Sequence, residues 1–287
     1  MFAGTARTAL AILQRVEGGR PRLQSVQMVA AGDDAALTQL AEGLRNSSCH
    51  NTPTTCVLAP GSYVLHQLEP PAVPPEEMKS AVRWQLRDVL DAPVDQVQVD
   101  FFPLPALPSQ KKLGYAVAAH NDKIQAALQR ADRLNLPCQT IDIAELCLAR
   151  LLAQAEAGKA MAGLLLADGS GLLVILWDGA VIMARSLVFA GSDGDAQAQE
   201  IEQLALDIQR SLDYCESSLT RRPVREVVLL PSRSVAAQIA TGLAQLLTPD
   251  VRVLELGAVF QAEGKAASFL PAPCLLALGA ALREVGE

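Results

Sequence analysis

Residues 163–187 read GLLLADGSGLLVILWDGAVIMARSL, and the fold depends on how that run is broken. Apolar stretches of strand length are cut at Asp168-Gly169-Ser170-Gly171 and again at Asp178-Gly179. An Asp-Gly pair between apolar runs signals a tight hairpin, because both residues tolerate the left-handed backbone that such turns require. The competing reading is a membrane-spanning helix, since the run is long enough. Asp168, Asp178 and Arg185 would then sit in hydrocarbon at about 3 kcal/mol each, with three breaks in the helix. A buried β-meander opening a second domain is therefore the expected structure. Its first turn also has the composition to cradle a phosphate with backbone N–H groups.

The chain has 287 residues, 50% of them apolar, enough to bury a large core and to form two domains. A net charge of −7 argues against nucleic-acid binding, which needs a basic face. Cys49, Cys56, Cys138, Cys147, Cys215 and Cys274 contain no CxxC pair and read as small buried thiols in a reducing compartment. His50, His66 and His120 make no zinc-ligand spacing with them, so no metal is expected. The first nineteen residues include Arg7 but no long apolar core before a cleavage site, unlike a signal peptide. A cytoplasmic protein is expected.

Along the chain, 8–16 and 22–29 flank the turn cluster Glu17-Gly18-Gly19-Arg20-Pro21 and form a hairpin. Asp33-Asp34 opens a helix with Leu37, Leu40, Ala41 and Leu44 on one face. Segments 54–58 and 63–68, joined by Ala59-Pro60-Gly61-Ser62, read as a second hairpin. Pro75 and Glu76-Glu77 mark a helix start, which Pro93 ends. Its apolar stripe runs Met78, Ala81, Val82, Gln85, Leu86, Val89 and Leu90, with Arg83, Trp84 and Arg87 on or beside the other side. Strands follow at 97–102 and 113–119 around a loop at 103–109, then a helix at 123–134, a strand at 138–141 and a helix at 143–155. After the meander come the longest helix, 196–219, a strand at 224–230, a helix at 235–247, a strand at 251–254 and a helix at 274–284.

The two parts share an order of meander, helix, strand and closing helix. That divides the chain into 1–160 and 161–287, with extra elements inserted at about 63–137. Duplicated α/β halves facing a cleft describe an actin-like architecture: two ribonuclease-H-like halves, with a small α+β subdomain inserted in the first.

The run LEPPAVPPEEMKSAVRWQLRDVLDAPVDQVQVDFFPLP (68–105) resembles the MshI branch of the PilM/GspL-like actin-like family, which serves MSHA pili. Supporting runs are QTIDIAELCLARLL (139–152), EIEQLALDIQRSLDYCESSL (200–219) and LALGAALRE (276–284). The resemblance implies a non-catalytic place in the inner-membrane assembly platform of type IV pili, related to type II secretion. It implies a partner too: the cytoplasmic tail of a PilN-like single-span membrane protein, alongside other pilus assembly proteins. The chain itself would not insert in the membrane, and self-association stays open. The tail would lie in a groove between 63–136 and the flanking elements 8–58 and 138–155, with Arg83, Trp84 and Arg87 as the binding edge.

The same resemblance sets requirements for a nucleotide site. An N-terminal strand–turn–strand should carry Asp and Gly for phosphate and Mg²⁺; residues 1–10 have Gly4 but no acid and no following Lys. A later Asp-Gly turn is matched by Asp168, Gly169, Ser170 and Gly171. A Gly-Gly pair should follow a buried strand to seat adenine; here stands Leu229-Leu230-Pro231-Ser232-Arg233. The expected site is vestigial, with ATP and Mg²⁺ bound weakly or not at all. No Walker A motif, GxGxxG, GxSxG elbow or metal signature replaces it. For Trp84 two readings stand: a ring partly covering the core between solvated arginines, or an interface anchor, the role in which Trp and Arg dominate.

Overall fold

The structure is a computed structural model describing residues 1–45, 52–154, 160–167, 169–191, 195–262 and 269–283. The first half runs β1 (Phe2–Ala3), β2 (Arg7–Gln14), β3 (Arg22–Ala30), α1 (Asp34–Arg45) and β4 (Thr54–Leu58). An insertion follows: β5 (Tyr63–Leu68), a 3-10 turn at Pro75–Glu77, α2 (Met78–Gln85), β6 (Val97–Pro103) and β7 (Gly114–His120). Then come α3 (Asn121–Arg133), β8 (Cys138–Asp142) and α4 (Ala144–Ala153). The second half comprises β9 (Ala160–Ala167), β10 (Ser170–Trp177), β11 (Ala180–Leu187), α5 (Asp195–Cys215), β12 (Glu226–Leu229), α6 (Ala236–Leu246) and β13 (Asp250–Val253). It closes with α7 (Leu256–Val259), β14 (Gln261–Ala262) and α8 (Ala272–Ala281).

The duplication is explicit in the sheets. One is ordered β14-β3-β2-β1-β4-β8 and the other β11-β10-β9-β12-β13. In each, the meander strands pair antiparallel and the last two join in parallel. Helices α4 and α8 pack on each other between the sheets, α4 against β9, β10 and β11, and α8 against β1, β2, β3 and β4. This position explains why the run at 163–187 is apolar almost throughout. Leu165, Leu172 and Val174 point into the central core with α4 and α8. Leu164, Leu166, Leu173 and Ile175 point the other way, onto α5 and α6. Strands covered on both faces lose the polar alternation of a half-exposed sheet.

The second Asp-Gly pair makes the expected turn. Trp177 pairs with Ala180, and Asp178 (φ 49°) and Gly179 (φ 80°) both adopt the left-handed conformation of a type I′ hairpin. No helix among the described residues is long and apolar enough to cross a membrane. The helix after Asp33 buries Leu37, Leu40, Ala41 and Leu44, the face read from the sequence.

Other expectations need correction. Strands β4 and β5 do not form a hairpin: β4 lies between β1 and β8, while β5 is an edge of the three-stranded sheet β5-β7-β6. Ala59–Ser62 carries the chain between sheets, and β5's true partner, β7, lies about fifty residues downstream. Regular α-helix after Pro75 ends at Gln85 rather than near Pro93. The narrow sheet beneath offers packing for two turns only, so Val82 and Leu86 are buried while Gln85 and Val89 are exposed. The helix starting near residue 196 finishes as a π-helical turn at Glu216–Thr220. Helix α3 packs on β4 and β8 of the larger sheet and on α1, as well as on β7.

Candidate functional site

A cleft of about 640 Å³ opens between the halves, under the edge strands β5 and β11. Tyr63 and Glu145 meet there: the Tyr63 hydroxyl donates to Glu145 Oε2 at 2.5 Å and accepts from the Ala144 amide at 3.1 Å. Burial pushes the Glu145 carboxyl above its ordinary pKa, and burial likewise raises Tyr63, so the uncharged pair is favoured. Neither residue stands out in the sequence, because 82 positions separate them.

The places where phosphate and adenine would be held are engaged internally. In the β1–β2 turn the Gly4 amide donates to the Arg7 carbonyl at 3.0 Å, and Arg130 Nη1 grips the Gly4 carbonyl at 2.6 Å. The Phe2 ring lies against Gly4, so close that a Cβ there would be 2.6 Å from Phe2 Cε1. Of the second turn, Asp168 lies outside the described residues. Gly169 has φ 80°, Ser170 pairs with Ala167, and Ser170 and Gly171 line the cleft. In the third element the Pro231 carbonyl accepts from the Leu270 amide at 2.9 Å, and Ser232 Oγ donates to the Leu166 carbonyl at 2.5 Å. Arg233 stacks over the Phe189 ring at 5.5 Å.

The cleft is also poor in anion-binding groups. Helix α8 presents its N-terminus to it, but Pro271 and Pro273 have no N–H to offer. Arg185, on the wall, turns to Ser211 Oγ (3.2 Å) and Asp207 (3.8 Å). No group of His, Cys, Asp and Glu among the described residues could hold a metal ion. The five described cysteines are unbridged, and Cys49 lies outside the described residues.

The insertion presents a different surface. Strand β7 sends Tyr115, Val117 and Ala119 toward the body and Ala116 and Ala118 toward α2. Helix α2 thus lies on the outer face of the small sheet, and the sheet separates it from the first half. The expected binding edge is therefore not in a groove against 8–58 and 138–155. Its three residues also separate in role. Arg83 turns inward, its Nε donating to the Val94 carbonyl at 3.0 Å, and so fixes the loop after α2. Trp84 is 69% exposed, which overturns its reading as a core cover. Arg87 lies over the Trp84 ring at 5.1 Å and pairs with Asp88 at 3.0 Å.

The chain matches no protein-family model and no curated protein. Among solved structures, it is similar to a chain of a PilM–PilN type IV pilus biogenesis complex at 19% identity and TM-score 0.73, covering 98% of this chain and 96% of that one. The cytoplasmic domain of EpsL, an inner-membrane component of the Vibrio cholerae type II secretion system, is similar at 12% identity and TM-score 0.52, covering 98% and 97%. The ethanolamine utilization protein EutJ from Carboxydothermus hydrogenoformans is similar at 12% identity and TM-score 0.50, covering 98% and 87%. Likeness at such identities speaks of fold, and it agrees with the duplicated strand order. The chain has the actin-like fold, with a three-stranded α+β insertion in its first half.

Proposed function

We propose that this protein is a non-catalytic scaffold of a type IV pilus assembly platform, holding the cytoplasmic tail of a PilN-like single-span membrane protein. It would work on the cytoplasmic side of the inner membrane, tethered through that partner. The sequence of 68–105 favours an MSHA-type system within this class. One observation carries the reading: Trp84 and Arg87 stack on each other in solvent at the outer face of the insertion, where they cover no core. A large rigid aromatic with a neighbouring guanidinium is the composition of an interface anchor. Support comes also from likeness to a chain of a PilM–PilN type IV pilus biogenesis complex over nearly the full length of both. The internally bonded turns of the cleft favour a scaffold over an ATPase.

A nucleotide-binding reading has the Gly169–Gly171 hairpin in its favour, since it lines the cleft and has a left-handed glycine. Calorimetry separates the two. The N-terminal cytoplasmic peptide of the PilN-like partner is expected to bind at about 10 μM, roughly 7 kcal/mol. Trp84→Ala and Arg87→Ala should each weaken it by about tenfold, with Arg83→Ala acting through stability instead. Mg-ATP should give no heat at concentrations up to about 1 mM, well short of a micromolar site. No peptide binding at low salt defeats the scaffold. Micromolar Mg-ATP binding that Asp168→Ala abolishes favours the alternative.

A further inference from the structure

The β6–β7 connection, residues 104–113, does more than join two strands. Its neck is closed by the Leu104 amide donating to the Leu113 carbonyl at 2.8 Å, next to the Pro103–Gly114 pair that ends the hairpin. Beyond the neck it turns through Gln110, which has φ 60° and donates to the Leu107 carbonyl at 2.9 Å. Leu107, at 5% exposure, belongs to the core of the second half, in the cluster that includes Leu212, Cys215 and Leu219. Leu104 and Leu113 pack against that cluster.

The second half has a matching receptor. Helix α5 widens into its π-helical turn at Glu216–Thr220 where the loop arrives, and the Leu219 carbonyl accepts the Ser109 amide at 3.1 Å. A π-turn shifts carbonyls out of the ordinary i→i+4 ladder, which makes such an acceptor available. A second tie runs from the inserted sheet to β11, with Gln67 Nε2 donating to the Ile182 carbonyl at 3.2 Å. Chain connectivity attaches the insertion to the first half alone. These contacts attach it to the second half as well.

We propose that loop 104–113 is a clasp that holds the inserted sheet against the second half and fixes the width of the cleft. Two packed bodies that share a cleft ordinarily move by hinge closure at the segments joining them. A leucine buried in the opposite body, with an amide bonded beside it, removes that freedom without a covalent link. The insertion and the second half then present one rigid surface, whatever occupies the cleft.

The test places nitroxide labels at Glu77→Cys on the insertion and Glu202→Cys on α5, both exposed, with Cys138→Ser removing the one described thiol that is not buried and Cys49→Ser excluding label at that position. Pulsed electron resonance should read one narrow distance in this protein and a longer, broader distribution after Leu107→Ala. Leu107→Met should restore the narrow distance, which a general loss of stability would not allow. If Leu107→Ala fails to fold, replacing 105–112 with Asn-Gly leaves the neck as a two-residue hairpin and gives the same readout. A broad distribution with the clasp intact overturns the proposal, and so does a distance unchanged in both variants.

Discussion

Helices α4 and α8 lie between two sheets, while α2 lies on one narrow sheet with water on its other side, and their surfaces differ accordingly. Helix α8 buries Ala272 and every residue from Cys274 to Ala280, and α4 buries all but Leu146 and Arg150 from Ala144 to Leu152. Helix α2 buries only Val82. Its exposed Trp84, and Val89 just beyond it at 60% exposure, are thus unexplained by packing, whereas apolar residues on α4 and α8 need no explanation beyond it. An apolar side chain hints at a partner only where the fold gives it no internal neighbour.

The largest expected effect lies where α4 and α8 cross. Gly279 lets the two backbones touch: a Cβ there would fall 2.7 Å from the Cys147 carbonyl carbon and 3.0 Å from its Cα. Gly279→Ala gains about 1 kcal/mol of helix propensity. Backbone overlap cannot be relieved by a rotamer, however, and overpacking costs about 3 kcal/mol or more. A net loss of at least about 2 kcal/mol should appear as a lower urea midpoint. Gly43→Ala in α1 is the contrast, since nothing lies within 4 Å of its Cβ position. That variant should gain about 0.5–1 kcal/mol. Equal effects at the two glycines would dissolve the distinction between the buried crossing and a solvated helix.

How much of this was legible depended on the range of the contacts. The meander could be read because its cause is local: Asp178-Gly179 sets a turn, Gly169 supplies a left-handed backbone at the other, and double coverage makes the strands continuously apolar. Leu37, Leu40, Ala41 and Leu44 were legible for the same reason, as the period of one helix. The partner of β5 is not legible in this way, because its pairing with β7 is settled by the insertion closing on itself, which the hairpin-like spacing of 54–68 does not reveal. The clasp left a faint trace, Leu104 and Leu107 among prolines in a loop that should otherwise be polar. Tyr63 with Glu145 left none, because a buried acid is recognisable only once its surroundings are known.

That pair gives the intermediate prediction. Burial raises the Glu145 carboxyl in the folded protein, so the folded state holds its proton to a higher pH than the unfolded chain does. The stability it contributes is fully present below the unfolded value of about 4.3. It is lost as pH rises through the folded value. Glu145→Gln keeps an acceptor for the Tyr63 hydroxyl but has no proton to lose. Its melting temperature should equal or exceed that of the unaltered protein at pH 8, and the fall in stability with rising pH above about 4.3 should flatten. A variant that melts much lower at pH 8 would mean that the ionised carboxylate holds the cleft together.

The smallest expected effect on stability is at Trp84, and its smallness is what gives it force. The side chain buries little, so removing it leaves no cavity, and an exposed substitution of this kind stays within about 0.5 kcal/mol. The stacked Arg87 adds about 0.5–1 kcal/mol at most for an exposed cation–π pair. Trp84→Ala should therefore shift the urea midpoint hardly at all, while Val82→Ala on the same helix, which empties a fully buried site, should cost about 2 kcal/mol. The two residues lie two positions apart on one short helix, so propensity and solvent conditions are shared and packing alone distinguishes them. If Trp84→Ala destabilised as much as Val82→Ala, the ring would have a structural role. Its exposure would then no longer point to a partner, and α2 would differ from α4 and α8 only in degree.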